Sequence, residues 1–213
     1  MHIPDGLIAP EAYLAASALA VPAFAFGVRR VARTLDERTI PRLAVLTALA
    51  FVLSTVMIPL PGGTSTHLIG HGLLVLAFGF WPAFVAFSLV LLMQATVLGA
   101  GGITTLPVNA IAIGLVGGAV VAGGHRLLKT RFPAAAVVVP VWLGVVAAAF
   151  TIALVLGAQP WLGRDAGGQP LFFPFGPAVT LPVIVGPHVI IGLVEGLLAW
   201  LVLPVLQPRQ VPA

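Results

Sequence analysis

The chain has 213 residues, 60% of them hydrophobic and 8% charged, with no cysteine and a mean hydropathy of +1.13. A soluble domain is about 45–50% apolar and roughly 25% charged, so this composition excludes a globule coated for water and indicates a chain embedded in a membrane. The lack of cysteine excludes disulfide frameworks and thiolate metal sites, leaving histidine, carboxylate and backbone nitrogen as available ligands.

A spanning helix needs about 20 mostly apolar residues, and about seven such segments follow one another. A short N-terminal segment, 1–9, precedes the first, which runs over 10–28 and stops at Arg29, Arg30 and Arg33. The second runs over 43–60 and ends at Pro61-Gly62-Gly63. The apolar stretch 68–98 is too long for one span and is broken at Gly79-Phe80-Trp81-Pro82, which reads as a tight turn between a short helix over 68–80 and a second over 82–98. A glycine- and threonine-rich loop over 99–106 leads to a span over 107–123, then come spans over 134–156 and 178–203. The Gly/Pro-rich stretch 158–177, with Arg164 and Asp165, reads as an exposed loop. The expected fold is therefore an all-α polytopic bundle forming a single integral membrane domain over 1–213, multi-pass in the cell (inner) membrane.

The charges orient it. With the N-terminus outside and the C-terminus inside, nine of the ten cations fall in the cytoplasmic segments 29–42, 125–133 and 204–213, and only Arg164 lies outside. This is the positive-inside bias, and it explains the basic composition without nucleic acid. No secretory leader is expected, because residues 1–9 carry no cationic stretch and the first apolar run is long enough to span. Met1 and its amine are thus expected at the outer surface. The single lysine, Lys129, lies outside any Walker A pattern, so ATP hydrolysis for uphill transport would come from another chain.

Five histidines, at positions 2, 67, 71, 125 and 188, stand out in so apolar a chain. His2 and the segment Thr64-Ser65-Thr66-His67 both fall at the outer face. A histidine next to a free N-terminus is a compact chelator, since the terminal amine, the following amide nitrogen and the imidazole close fused rings on one ion. His67 offers a fourth nitrogen. An all-nitrogen tetragonal set suits Ni(II), Cu(II) or Co(II), whereas zinc prefers a tetrahedron and magnesium or calcium prefer oxygen. On a helix His67 and His71 would share a face, which makes His71 a further ligand, an outer partner or a pathway group. Thr64, Ser65, Thr66 and Asp5 are candidates for hydrogen bonds that hold the ligands.

Glu195 is the sole acid inside an expected span, where a charge costs about 2.5–3.5 kcal/mol without a partner, water or a proton. His188 lies two helical turns earlier and could share a polar track with it. Gln94 and Asn109 flank the glycine-rich loop and read as pathway groups or as interhelical glue. Ala12, Ala16 and Ala20 form a small-residue stripe suited to close helix packing, within the bundle or with another chain.

Met1-His2-Ile3-Pro4-Asp5-Gly6, Ser65-Thr66-His67, Gly70-x-Gly72, Gln94, the Gly101-to-Leu106 loop with Asn109, and His188 with Glu195-Gly196 together resemble the CbiM/NikM family over nearly the whole chain. These proteins are the substrate-capture (S) components of cobalt and nickel energy-coupling factor transporters. The resemblance implies a metal held by the Met1 amine, the His2 amide and imidazole nitrogens, and the His67 imidazole. It implies Ni(II) or Co(II) as cargo, with no resident cofactor and no catalytic residue. It implies as partners a transmembrane coupling (T) subunit, a pair of cytoplasmic ATPases and a small accessory membrane protein. Two positions depart from the usual pattern: His71 stands where many relatives have threonine, and Ala100 where many have histidine. The residues also allow a proton-coupled secondary transporter built on His188 and Glu195, or an intramembrane metalloenzyme built on His67, His71 and Glu195.

Overall fold

In the computed structural model, residues 2–56, 58–60 and 64–206 are described. Seven helices run among them: α1 (Pro10–Thr34), α2 (Thr39–Thr55), α3 (His71–Phe78), α4 (Phe80–Leu98), α5 (Leu106–Leu128), α6 (Ala135–Leu162) and α7 (Pro177–Leu206). Five of them, all but α2 and α3, are long and apolar enough to cross a membrane. A two-stranded antiparallel hairpin, β1 (Ile58–Leu60) with β2 (Thr64–Thr66), joins α2 to α3, with Ile58 opposite Thr66.

Several helix ends differ from the hydropathy reading. α1 continues past residue 28 through Arg29, Arg30 and Arg33, because alanine and arginine sustain a helix whether lipid or water surrounds it. It starts with proline as its first residue, where no backbone donor is lost, and with Glu11 in the first turn. α2 ends at Thr55 instead of reaching residue 60, since the prolines at 59 and 61 cannot continue a helix and the chain turns into β1. The short segment before the Gly/Pro break forms α3 over eight residues only, and Gly79, at φ +89°, is the reversal between α3 and α4. α5 and α6 each run about five residues past their expected ends, to Leu128 and Leu162.

α6 is the central post, packed against α5 on one side and α7 on the other. Close approach there depends on missing side chains. A Cβ on Gly144 would stand 2.9 Å from the Gly117 carbonyl oxygen, and one on Gly196 would stand 2.6 Å from that of Val138. The core over α3 to α6 is filled by Phe84, Phe87, Leu74, Ile113, Val121 and Val141. Ala12 and Ala16 pack on a second buried cluster that includes Val108 and Ile152, so part of the small-residue stripe serves packing within the bundle. Large apolar side chains such as Leu14, Val97, Ile190 and Val205 point outward, as lipid-facing residues do. Wide π-helical turns interrupt α4 at Gln94–Leu98, α5 at Ala110–Gly117 and α7 at Leu181–Val185. Such turns are uncommon and concentrate at functional sites.

Candidate metal centre

The N-terminal segment is apolar enough to bury itself and is then fastened by side chains from two helices and from the loop before α5. Ile3, Ile8 and Ala9 are buried, the first two in the cluster formed by Val108 and Ala112 of α5 with Ile152 and Leu156 of α6. Burial of a backbone requires that its polar groups be met. Asn109 meets both groups of Ile3: its Oδ1 accepts the Ile3 N–H at 3.0 Å and its Nδ2 donates to the Ile3 carbonyl at 3.1 Å. The Thr105 hydroxyl also donates to that carbonyl. The Ala9 N–H donates to Gln159 Oε1 at 2.7 Å, and the Leu7 carbonyl accepts from the Phe173 N–H at 3.1 Å.

Asp5 reaches the loop before α5. Its carboxylate accepts the Ile103 and Thr104 N–H groups at 3.0 and 2.9 Å and the Thr104 hydroxyl. That hydroxyl, followed by the backbone donors, holds the Asp5 carboxyl below the usual aspartate range. The segment lies so close to this loop that a Cβ on Gly102 would sit 2.2 Å from Asp5 Oδ1 and 2.5 Å from its backbone nitrogen. Only glycine fits there.

This docking sets His2 beside His67, with ring centroids 4.9 Å apart and planes inclined by 47°. His67 follows β2, is 5% exposed, and its Nδ1 lies 3.0 Å from the Leu68 carbonyl. A ring nitrogen at a carbonyl carries the proton, so His67 Nε2 keeps the lone pair. His2 Nε2 is buried and meets no hydrogen-bond partner among the described residues. An unmet buried nitrogen is unfavourable until a ligand or water reaches it. Burial, reinforced by the repulsion that a second charge on the neighbouring histidines would bring, holds His2 well below the usual imidazole range. The same causes, burial first, lower His67 to about 4. Both imidazoles are therefore neutral and able to ligate at physiological pH.

His188 of α7 stands next to this pair through Thr66. Its Nδ1 lies 2.6 Å from the Ile184 carbonyl, and its Nε2 faces the fully buried Thr66 hydroxyl at 3.4 Å. Met1 lies outside the described residues, as do the side chains of Thr64 and Ser65, whose backbones belong to β2.

Other candidates are placed elsewhere. His67 and His71 do not form a helical pair, because α3 begins only at His71, after Gly70 at φ +72°. The His71 ring packs on Phe87, with centroids 5.1 Å apart, and its Nε2 is buried without a partner among the described residues. Glu195 is buried, and its two oxygens accept the Ile69 and Gly70 N–H groups at 2.5 and 3.1 Å. It thus clamps the turn that leads from His67 into α3. His71 and Glu195 border a cavity of about 10 Å³, the room of about one water. Gln94 donates to Ser54 Oγ at 2.6 Å and ties α4 to α2. Among the described residues no three histidine or carboxylate side chains converge as a metal cluster. Sequence reasoning missed Gln159, a fully buried amide in an apolar helix. It fell in the stretch 158–177 read as an exposed loop, whereas α6 runs on to Leu162 and carries Gln159 into the core.

Apolar helices of spanning length around a buried pair of neutral imidazoles define a multi-pass membrane protein with a nitrogen-rich candidate metal site. Comparison with known proteins sharpens this. The CbiM family, described as the cobalt uptake substrate-specific transmembrane region, matches residues 2–212, and the chain belongs to that family. The fused nickel transport protein NikMN of Rhodobacter capsulatus is 33% identical, over all of this chain and 66% of its own length. The chain thus spans just under two thirds of that protein. A putative metal transport protein of Methanocaldococcus jannaschii is 31% identical over 89% of this chain and 83% of its own. The crystal structure of a truncated transition metal transporter superposes with a TM-score of 0.91 at 33% identity, covering 97% of this chain and 98% of the other.

Proposed function

We propose that this chain is the substrate-capture component of an energy-coupling factor transporter that imports Ni(II) or Co(II). The ion is bound at the outer face by the Met1 amine, the His2 amide and imidazole nitrogens, and His67. The observation that carries this reading is the approach of His2 to His67 on a segment pinned by Asn109, Asp5 and Gln159. Pinning matters because a chain terminus is otherwise mobile, and ordering it beforehand removes an entropic penalty from metal binding. Thr66, with His188 behind it, lies beside His67 and helps to fix the approach of that ring. The N-terminus faces outward and the arginine-rich segments face the cytoplasm, where a T subunit and an ATPase pair, with a small accessory membrane protein, supply the driving force.

Glu195 speaks against the proton-coupled alternative, because both its oxygens are already engaged by backbone amides. The test is titration of native-start protein with Ni(II) and Co(II) beside a variant carrying three alanines before Met1, a length that leaves no histidine in the first three positions to form a new terminal chelate. The extension converts the terminal amine into an amide, so the variant is expected to lose binding by at least a hundredfold. Undiminished affinity would refute terminal chelation, and the two native titrations rank the metals.

A further inference from the structure

α1 and α2 are consecutive, yet each leans on α4 and they scarcely touch one another. Between them lies an open apolar groove of about 460 Å³, with Val31 on one wall, Leu43, Thr47 and Phe51 on the other, and Val85 and Leu89 of α4 as its floor. It shares no residue with the His2–His67 site. The groove closes at the connection between the two helices, where the 14 residues 29–42 hold Arg29, Arg30, Arg33, Arg38 and Arg42 against Asp36 and Glu37. All five arginines are exposed. Asp36 is occupied in capping α2, its carboxylate accepting the Thr39 N–H at 2.7 Å, and Arg42 donates to the Leu206 carbonyl at the end of α7. Arg29, Arg30 and Arg33 lie within two residues of Val31, and Arg38 and Arg42 within two of Ile40, both of which line the groove, so its end at this connection carries an excess of positive charge.

We propose that this groove is a binding site for one anionic phospholipid, an acyl chain lying between α1 and α2 and the phosphate held by the arginines. Lipid fits both halves of the feature: the slot is apolar along its length and cationic only at its end. Arginine is suited to phosphate because its planar fork donates two parallel hydrogen bonds. A basic residue near an anionic headgroup contributes about 1 kcal/mol, which corresponds to about a fivefold change in affinity.

The test uses the full chain in nanodiscs of phosphatidylcholine with a minor fraction of phosphatidylglycerol, followed by native mass spectrometry of the lipid each protein retains. The native chain is expected to retain phosphatidylglycerol in about one copy and in preference to phosphatidylcholine. Arg30→Gln with Arg33→Gln should reduce retention about 25-fold, and the corresponding Arg→Lys pair should keep most of it. Ala44→Leu with Ala48→Leu, which fills the groove at exposed positions and leaves every arginine in place, should also abolish retention. Nickel titration of each variant reports that the fold survives. Equal retention of the two lipids by the native chain would overturn the proposal. So would a filled variant that keeps its phosphatidylglycerol, including one that loses a co-purifying membrane protein instead, since the groove would then seat a helix.

Discussion

Replacing Asn109 by leucine tests whether docking of the N-terminal segment and capture of metal are one process. Leucine has nearly the shape of asparagine but offers Ile3 nothing. The substitution removes the 3.0 Å and 3.1 Å bonds, and the two losses differ in weight. The Ile3 carbonyl keeps the Thr105 hydroxyl as a donor, so its loss is small. The Ile3 N–H is left buried with no acceptor, a state that costs about 1–3 kcal/mol. Taking about 2 kcal/mol as the shift against the docked segment, nickel affinity should weaken about thirtyfold. The assay is calorimetric titration of Ni(II) into native-start protein, with amide exchange of Ile3 followed in parallel and helix content checked by circular dichroism. A dissociation constant within twofold of the native value, with Ile3 exchanging freely, would refute the coupling.

Two further predictions follow from the same geometry. Glu195→Leu strips acceptors from the Ile69 and Gly70 N–H groups and is expected to destabilise the protein by about 2–6 kcal/mol. Glu195→Gln keeps one acceptor and should lose about half as much while sparing metal uptake; loss of uptake at native stability in the Gln variant would instead support a proton carrier. With respect to pH, His2 and His67 are lowered by burial, so the freed imidazoles bind protons near pH 6.5 while the docked ones resist them, His67 down to about 4. Docking of the metal-free segment is therefore full above about pH 6.5 and weakens as pH falls toward 4, which exchange protection of residues 3–9 measures. Nickel affinity should fall about tenfold per pH unit already above pH 8, because the His2 amide sheds its proton on binding, and should steepen below about pH 8, where the Met1 amine must shed one too. Steepening only near pH 6.5 would mean that the amine is not a ligand.

Much of the architecture was legible because hydropathy and punctuation act locally. Gly79 and the prolines after Thr55 mark real reversals, although the exact ends escaped where helices run on through polar residues, as α1 does through its arginines. The approach of His2 to His67 was legible only as an expectation from topology, which brings two elements to one membrane face without giving their distance. The His67–His71 spacing misled because a helical period was assumed across Gly70, whose positive φ breaks it. Gln94 was read as a pathway group or as interhelical glue, and its bond from α4 to Ser54 of α2 fits the second. Gln159 was placed in an exposed loop, because its partner lies 150 residues away and no local pattern announces so distant a pair.

The wide turn at Leu181–Val185 lies just upstream of His188 and Glu195. A turn of this kind holds one residue more than the regular coil, and each residue of an α-helix advances its neighbours by about 100°. Trimming a single residue from it would rewind α7 and swing both side chains together away from Thr66 and the His67 bend, leaving composition and hydropathy almost untouched. In this helix the angular phase of two polar groups is stored as an insertion, so length variants there are a sharper probe of the site than substitutions.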